Sequence, residues 1–391
     1  MQSHIYKTGR RHSRHRLKDN LGIMLQLNDK ATNKRISSLD GLKAIMMLSI
    51  FCWHTPPNPV SPLGEPAADL GARACEVLIV AAGFLVACRH YDSFTSANLK
   101  QSWNYVSGKI ARVWPVHFIA FLVISVYLAK TNPQAFFSLS TARKALVNLC
   151  LLQAWSSDPF SFNAVAWFVS ALLFCYFMSQ ILMSVLKRSR YVIAATFIGC
   201  AALRIILELV IANDVWIFSD IFHVSPIIRC MEFFMGMLMV PAYNMIKGAM
   251  YCKSTGKRTS QSVKIKLGMT VAELLVSACY IFLMYRMEGI WIRGYFVLAA
   301  CVLVFTYALN AGALSRVLSL RIFTMFALIQ MEFYLFHQVI IRVLGSKLTW
   351  VSQSVFIQSV ILFFITVAVS VLYERILKDK CTEAMKRLLF A

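Results

Sequence analysis

The feature that most constrains this chain is a series of apolar runs, most of them about as long as a membrane-crossing helix. Hydrophobic residues make up 58% of the chain and charged residues only 15%. A water-soluble protein needs more charge to cover its surface, so the surplus apolar side chains must face something other than water. The sequence therefore predicts an all-α fold, a polytopic membrane helix bundle of about ten transmembrane helices. We place the spans at residues 41–54, 72–87, 113–129, 165–186, 191–211, 225–246, 267–285, 291–310, 322–344 and 355–372.

The net charge of +22 first points to nucleic acid, but the distribution of the charge argues against such a partner. When the loops between apolar runs are assigned alternately to two sides of a membrane, most of the 40 Lys and Arg residues fall on one side. Loops rich in Lys and Arg stay in the cytoplasm during insertion. We therefore predict that the N- and C-termini are both cytoplasmic and that the charge sets topology.

The chain divides into three segments. Residues 1–35 are polar and basic, and we expect a disordered cytoplasmic tail that touches anionic lipid. Residues 36–375 form the membrane domain, and residues 376–391 form a basic cytoplasmic C-terminal tail. Within the domain, residues 132–163 are only moderately apolar, which predicts an outer loop with a helix at the membrane interface.

The 11 cysteines show no paired spacing of the kind that binds metals, and most lie inside apolar runs. We interpret them as small apolar side chains rather than as ligands or disulfide partners, and we predict no metal site. Cys52 lies two residues before His54, about 200° around a helix, so the two cannot form a catalytic dyad.

The first apolar run places a cation and an imidazole on one helical face. Asp40 and Lys43 stand at its start, and His54 stands at its end. Lys43 and His54 are eleven residues apart, about three helical turns, so they are separated by roughly 16 Å along the axis. A functional pair fits this spacing, and so does a snorkelling lysine with a histidine at the level of the lipid headgroups.

Two further groups of residues carry chemistry at the next two runs. Glu76 sits within the second run, where an isolated carboxylate needs a partner or a proton. Gly83, in the same run, would admit the close approach of a helix or a ligand. Lys109 and Arg112 project together from the start of the third span. Such a pair of cations suits phosphate binding, although positive-inside anchoring also accounts for it.

The order of these segments resembles the acyltransferase type 3 family, bacterial membrane proteins that O-acylate carbohydrates. The resemblance spans about residues 36–375 and continues through three later motifs. The residues that carry it are Asp40-Gly41-Leu42-Lys43 with His54, Glu76 with Gly83-Phe84-Leu85, Lys109 with Arg112, Trp114 and Pro115, Ala166-Trp167 with Ser170, Pro226 with Arg229, Glu232 and Gly236, and Glu332 with Tyr334 and His337.

The resemblance implies an enzyme of the bacterial plasma (inner) membrane. It would move an acyl group, most often acetyl, from cytoplasmic acetyl-CoA or another acyl-CoA to a hydroxyl of a cell-surface or lipid-linked carbohydrate. The donor would be a substrate, so no bound cofactor is expected, and the oligomeric state is left open. A sugar hydroxyl is a poor nucleophile and needs a general base that titrates near neutral pH, which imidazole provides.

Residue roles follow from the resemblance. His54 is the expected base, and Lys43, Lys109 and Arg112 would hold the phosphates of the donor. Asp40 would act as a helix cap or as the partner of Lys43. The remaining candidates are Glu76 in the catalytic group, Trp167 and Ser170 as acceptor-binding or structural residues, Arg229 and Glu232 as a buried ion pair, and His337 as the second choice for the base.

Two positions depart from the family pattern. The family usually has Arg where this chain has Lys43, and again where it has Lys109. Lysine keeps the charge but lacks the planar fork that binds phosphate in a bidentate manner. A membrane carrier or exporter that uses the same intramembrane charges as a solute or proton path is the alternative function, and a non-catalytic partner in glycan assembly is a third.

Overall fold

The computed structural model describes residues 35–55, 65–94, 98–211, 223–255, 259–286, 294–352 and 354–390, in which every regular element is a helix. All but Arg35 of the predicted disordered tail lies outside these residues. The α-helices are α1 Ser37–His54, α2 Glu65–His90, α3 Leu99–Thr131, α4 Pro133–Phe136, α5 Leu139–Leu149, α6 Ala166–Leu186, α7 Arg190–Ile211, α8 Pro226–Leu238, α9 Val240–Thr255, α10 Thr259–Arg286, α11 Gly294–Ala308, α12 Ala313–Leu318, α13 Arg321–Phe326, α14 Gln330–Leu348, α15 Val355–Ile376 and α16 Lys378–Phe390.

Within the described residues, six helical segments are long and apolar enough to cross a membrane. The segments are Leu99–Thr131, Ala166–Leu186, Arg190–Val210, Pro226–Met250, Val263–Met284 and Val355–Ile376. A seventh apolar helix, Tyr295–Ala308, is shorter. The expected helical bundle is thus confirmed, whereas ten spans and two cytoplasmic termini stay predictions.

The outer helices of the bundle carry apolar side chains that no part of the described chain covers. α7 and α10 show this most clearly, since little of either helix is buried. Exposed apolar rows of this kind are stable only against lipid or another apolar partner. The exposed side chains include Val192, Ile198, Leu203, Ile206 and Leu209 on α7 and Leu267, Val271, Leu274, Leu275 and Phe282 on α10.

α2 lies at the centre of the bundle, packed mainly against α1 and α8 and also against α11 and α6. Two glycines let α2 and α8 approach closely. Gly83 faces the backbone of Phe233, and Gly236 faces the backbone of Val80, so a Cβ at either glycine would collide with the other helix. Reciprocal small residues are the usual means of close helix packing in membranes. Of the two partners predicted for Gly83, the neighbouring helix is the one present.

The start of α1 is held by hydrogen bonds to residues far along the chain. Ser38 Oγ donates to Tyr307 O over 2.6 Å, and Ser37 Oγ donates to Ser319 Oγ over 2.8 Å. Satisfied polar contacts in a buried interface fix the rotation of a helix, because an unpaired buried hydroxyl is costly. The face of α1 that carries Lys43 and His54 is therefore fixed in the interior.

The predicted span 322–344 is not one continuous helix. α13 ends at Phe326, a turn of three residues follows, and α14 begins at Gln330. Ala327 and Leu328 in this turn line a cavity described below. The prediction was wrong here because the sequence at the break contains neither Gly nor Pro, the usual helix-breaking residues.

The expected outer segment and C-terminal tail both contain helices. Residues 132–163 hold α4, α5 and a short 3₁₀ helix, Gln153–Trp155. The tail forms α16, which packs against α3 and α15. α16 thus brings charged residues of the tail to the domain.

Candidate active site

A cavity of about 340 Å³ lies between α1, α2, α3, α6 and α14, with α16 at its margin. We call it the basic cavity because four cations line it: Lys43, Arg89, Lys109 and Lys378. Most of the remaining wall is apolar or aromatic, including Met47, Leu78, Leu85, Tyr105, Phe168 and Tyr176. Cations in the wall of a largely apolar pocket suit a ligand that has both an anionic and an apolar portion.

Lys43 is held in the basic cavity by Asp40. Its Nζ lies 3.0 Å from Asp40 Oδ1, and the other carboxylate oxygen pairs with Arg35. The predicted partnership of Asp40 with Lys43 is confirmed. The alternative, a helix cap, is wrong because the cap position is Ile36 and Asp40 lies inside the first turn of α1.

Lys109 projects into the basic cavity from α3, between two tyrosine rings. Its Nζ lies 5.0 Å from the ring centroids of both Tyr105 and Tyr176. Such cation–π contacts keep an ammonium group in place without neutralising its charge. Arg112, predicted to act with Lys109, is exposed and does not line the cavity.

Lys378 enters the basic cavity from α16, beyond the membrane helices. Its Nζ lies 3.1 Å from Glu332 Oε1 and 2.5 Å from Glu374 Oε2. Partial burial opposes the charge, but the hydrogen bonds and negative charges of Glu374 and Glu332 outweigh it and raise the pKa of Lys378. Lys378 is therefore a permanent cation that ties the C-terminal helix to α14.

A second cavity, of about 240 Å³, contains His54 and His223, and we call it the histidine cavity. Its wall also includes Trp53, Phe160 and Trp167. The ring of Trp167 lies 4.7 Å from that of His223, measured between centroids. The cavity thus offers aromatic faces and imidazole nitrogens at the end of α1 opposite to Lys43.

His54 and His337 lie beside each other with compatible hydrogen-bonding patterns. His54 Nδ1 is 2.9 Å from Ile50 O, and His337 Nδ1 is 2.6 Å from Tyr334 O. A carbonyl only accepts, so these contacts assign a proton to Nδ1 of both rings when they are neutral. His54 Nε2 then keeps a free lone pair. His337 Nε2 lies 3.4 Å from His54 Nδ1 and presents its lone pair to the proton on His54 Nδ1.

The two cavities follow the same helices and come together at one residue. α1 lines the basic cavity with Met47 and the histidine cavity with Ile50, one turn later. α2 does the same with Leu78 and Cys75. Tyr334 of α14 lines both cavities. Cations and imidazole thus stand at opposite ends of one interrupted passage.

A cluster of five buried charges lies beside this passage. Arg229 Nη1 is 2.7 Å from Glu232 Oε2 and 3.4 Å from Glu76 Oε1. Arg204 Nε is 3.1 Å from Glu232 Oε1, and its Nη1 is 3.1 Å from Glu208. The predicted Arg229–Glu232 ion pair is confirmed. Glu76, predicted as catalytic, lies in this cluster and lines neither cavity.

The cluster supports the wall of the histidine cavity. Arg229 Nε donates to His223 O over 2.9 Å, and the guanidinium lies 5.6 Å from the centroid of the Trp167 ring. Ser170, one turn after Trp167, accepts a hydrogen bond from Ala154 N at 3.3 Å. Trp167 therefore faces the cavity, whereas Ser170 holds the 3₁₀ turn against α6.

Sequence reasoning missed several of these residues. Arg204 and Glu208 are ionisable groups at i and i+4 within an apolar run, a signal that was available. Arg89, at the end of α2, was counted only among the Lys and Arg residues that indicate topology. Lys378 could not be found, because nothing local shows that α16 returns to α3. Tyr334 was named only as part of a motif, because nothing local shows that two cavities meet at it.

Comparison with known proteins identifies the family of the chain. A family model described as an acyltransferase domain matches residues 36–375, which is most of the chain. Neither the search of curated proteins nor the search of solved structures gave a match.

Proposed function

Because the chain belongs to the type 3 acyltransferase family and is a multi-pass membrane protein, we propose that it transfers an acyl group, most often acetyl, from acyl-CoA to a carbohydrate hydroxyl. The observation that carries the proposal is the passage, interrupted at Tyr334, with cations at one end and His54 at the other. Such a passage fits a donor with an anionic nucleotide, a thin uncharged arm and a reactive thioester at its tip.

The basic cavity is the proposed site for the nucleotide end of the donor. Lys43, Lys109 and Lys378 offer ammonium groups to phosphate oxygens, with Arg89 at the margin. Lys43 and His54 are separated by roughly 16 Å along α1, so the arm of the donor would extend through the passage. The thioester would then reach His54 while the nucleotide stays at the cytoplasmic face.

His54 is the proposed general base. Its Nδ1 is occupied by Ile50 O, which leaves Nε2 to take the proton of an acceptor hydroxyl. The oxygen then bonds to the thioester carbonyl carbon, and the carbon–sulfur bond breaks. The proton on His54 passes to the departing thiolate, so the products are an ester and free coenzyme A.

The acceptor would enter the histidine cavity from the side opposite to the nucleotide. Trp53, Phe160 and Trp167 in its wall present flat apolar faces of the kind that pack against the C–H face of a sugar ring. This placement is consistent with a cell-surface or lipid-linked carbohydrate and with the inner membrane of a bacterium.

The buried charges do not favour the carrier alternative. Arg229 and Glu232 pair with each other and with further charged groups, and none of the five lines either cavity. Paired charges that avoid the passage fit helix packing better than a solute or proton path.

The test uses purified protein in lipid nanodiscs with acetyl-CoA that is radiolabelled in the acetyl group. We expect the release of free thiol and, when glycan-bearing membrane lipids are added, the appearance of label in a base-labile ester. A carrier would bind or move a solute without releasing thiol. Absence of thiol release under both conditions would overturn the proposal.

A further inference from the structure

Tyr334 interrupts the passage between the basic cavity and the histidine cavity. Among the described residues, it is the one side chain that lines both. On both α1 and α2, one turn of helix separates the two cavities. On α1, Met47 lines the basic cavity and Ile50 lines the histidine cavity. On α2, Leu78 lines the basic cavity and Cys75 lines the histidine cavity. A molecule that extends from one cavity into the other must therefore pass this ring.

The side chain of Tyr334 is anchored across the passage, from α14 to α6. It is buried, and its hydroxyl donates to Val165 O over 2.9 Å. Its ring meets that of Phe168 at a centroid distance of 5.3 Å. The bond to Val165 joins the two walls and closes the passage in this structure.

The same contacts show that the side chain can leave without exposing an unpaired carbonyl. Val165 O also accepts from Phe168 N at 3.2 Å, so it keeps a partner when the tyrosine hydroxyl moves away. An opening therefore leaves no buried acceptor unpaired, and its cost is the loss of one hydrogen bond from the tyrosine hydroxyl. The closed passage is thus a barrier that a donor can displace.

The backbone of Tyr334 has a separate role. Its carbonyl accepts from His337 Nδ1, and His337 in turn lies against His54. A substitution of the side chain leaves this carbonyl in place. The barrier can therefore be changed without removing the bond that orients the histidine pair.

We propose that the ring of Tyr334 is the barrier that limits the size of the acyl group reaching His54, so that short acyl thioesters are selected over longer ones. The inference rests on the proposed function, because it assumes an acyl-CoA donor in the basic cavity. The acyl carbon chain is the portion selected, since the nucleotide and its arm are common to all acyl-CoA donors.

The alternative is that Tyr334 only fastens α14 to α6. In that case its loss would lower stability and overall turnover but would leave the preference among donors unchanged. Specificity for chain length therefore separates the two roles, because a fastening residue has no contact with the acyl group.

The experiment compares kcat/KM for butyryl-CoA and acetyl-CoA in nanodiscs, for the wild type, Tyr334→Leu and Phe336→Leu. Phe336 is a buried aromatic residue two positions along α14 that lines neither cavity, and it serves as the matched control. We expect Tyr334→Leu to raise the butyryl-to-acetyl ratio by at least about tenfold, since a methylene in an apolar pocket changes specificity by about 10–200-fold. The control should keep the wild-type ratio.

Two results would overturn the inference while leaving the proposed function intact: an unchanged ratio in Tyr334→Leu, or the same increase in Phe336→Leu. If Tyr334→Leu does not fold, Tyr334→Met decides. It also removes the ring but fills more of the space, so the butyryl-to-acetyl ratio should again rise, and an unchanged ratio would overturn the inference. A wild type that releases no thiol from either donor instead contradicts the proposed function itself.

Discussion

His54 Nδ1 lies 3.4 Å from His337 Nε2, although the two residues are 283 positions apart in the chain. Their rings meet edge to face at a centroid distance of 5.1 Å. The contact joins the end of α1 to α14, which are the first and the next-to-last long helices of the domain. The two histidines proposed separately as bases are therefore neighbours, and of these two it is His54 that lines the histidine cavity.

The first prediction concerns His337 as a positioning residue. Its Nε2 lone pair holds the Nδ1 proton of His54, so His337→Phe should lower kcat by about 10²-fold, because misplacement of a catalytic group by about 1 Å has that effect. KM for acetyl-CoA should stay near the wild-type value. His337→Gln places an amide oxygen near the position of Nε2 and should restore part of kcat. Equal losses in the two variants would mean that His337 only fills space.

The second prediction concerns donor binding in the basic cavity. Lys109→Ala should raise KM for acetyl-CoA by about tenfold, the effect expected when a charge-assisted hydrogen bond of about 1.5 kcal/mol is lost. Arg112→Ala, one turn away and exposed, is the matched control and should have a smaller effect. Steady-state kinetics with both variants would contradict the assignment if the order were reversed.

Lys43 and Lys109 also allow a test by conservative exchange. Lys43→Arg and Lys109→Arg restore the residues usual in the family and keep the charge, so both should retain activity, whereas Lys43→Ala should weaken donor use. Measured turnover at low and high acetyl-CoA separates binding from chemistry. Loss of activity in both arginine variants would show that these sites require the smaller ammonium group.

The third prediction concerns the C-terminal helix. Lys378→Ala removes a cation from the basic cavity and the tie to Glu332, so KM for acetyl-CoA should rise with little change in kcat. Lys386→Ala, in an exposed pair with Glu383 on the same helix, is the control. An equal KM for the two variants would place α16 outside the donor site.

The fourth prediction concerns the buried charge cluster. Arg229→Met leaves Glu232 and Glu76 without their shared guanidinium, and breaking a buried ion pair costs about 3–5 kcal/mol. The free energy of unfolding in detergent should fall by that order. Lys386→Met breaks only a solvent-exposed pair with Glu383 and should leave the free energy of unfolding nearly unchanged. Similar stability of the two variants would contradict a structural role for the cluster.

Much of the fold could be predicted from the sequence, because a helix that crosses the lipid bilayer needs a run of about twenty apolar residues, and such runs are visible in the sequence. The helices of α6, α7 and α15 lie within a few residues of their predicted positions. The division of 322–344 into α13 and α14 could not be predicted, since no Gly or Pro marks the break in the sequence.

The candidate site was predicted in part. Asp40, Lys43 and His54 share one helix, so helical periodicity was enough to relate them. The contacts of His54 with His337 and of Glu76 with Arg229 cross between helices that are distant in the chain, and no spacing rule encodes them. Lys378 illustrates the same limit, because its role depends on how α16 folds back onto α3.

The measurement that tests the account most directly is the extent of glycan acylation, determined by mass spectrometry. It is made in cells with matched membrane levels of the wild type, His54→Ala and Cys52→Ala. Loss of the general base should lower acylation by about 10²–10⁴-fold in His54→Ala. Cys52→Ala, two residues away on the same helix, should acylate at nearly the wild-type level. Near-normal acylation in His54→Ala, or an equal loss in Cys52→Ala, would contradict the assignment of His54 as the base.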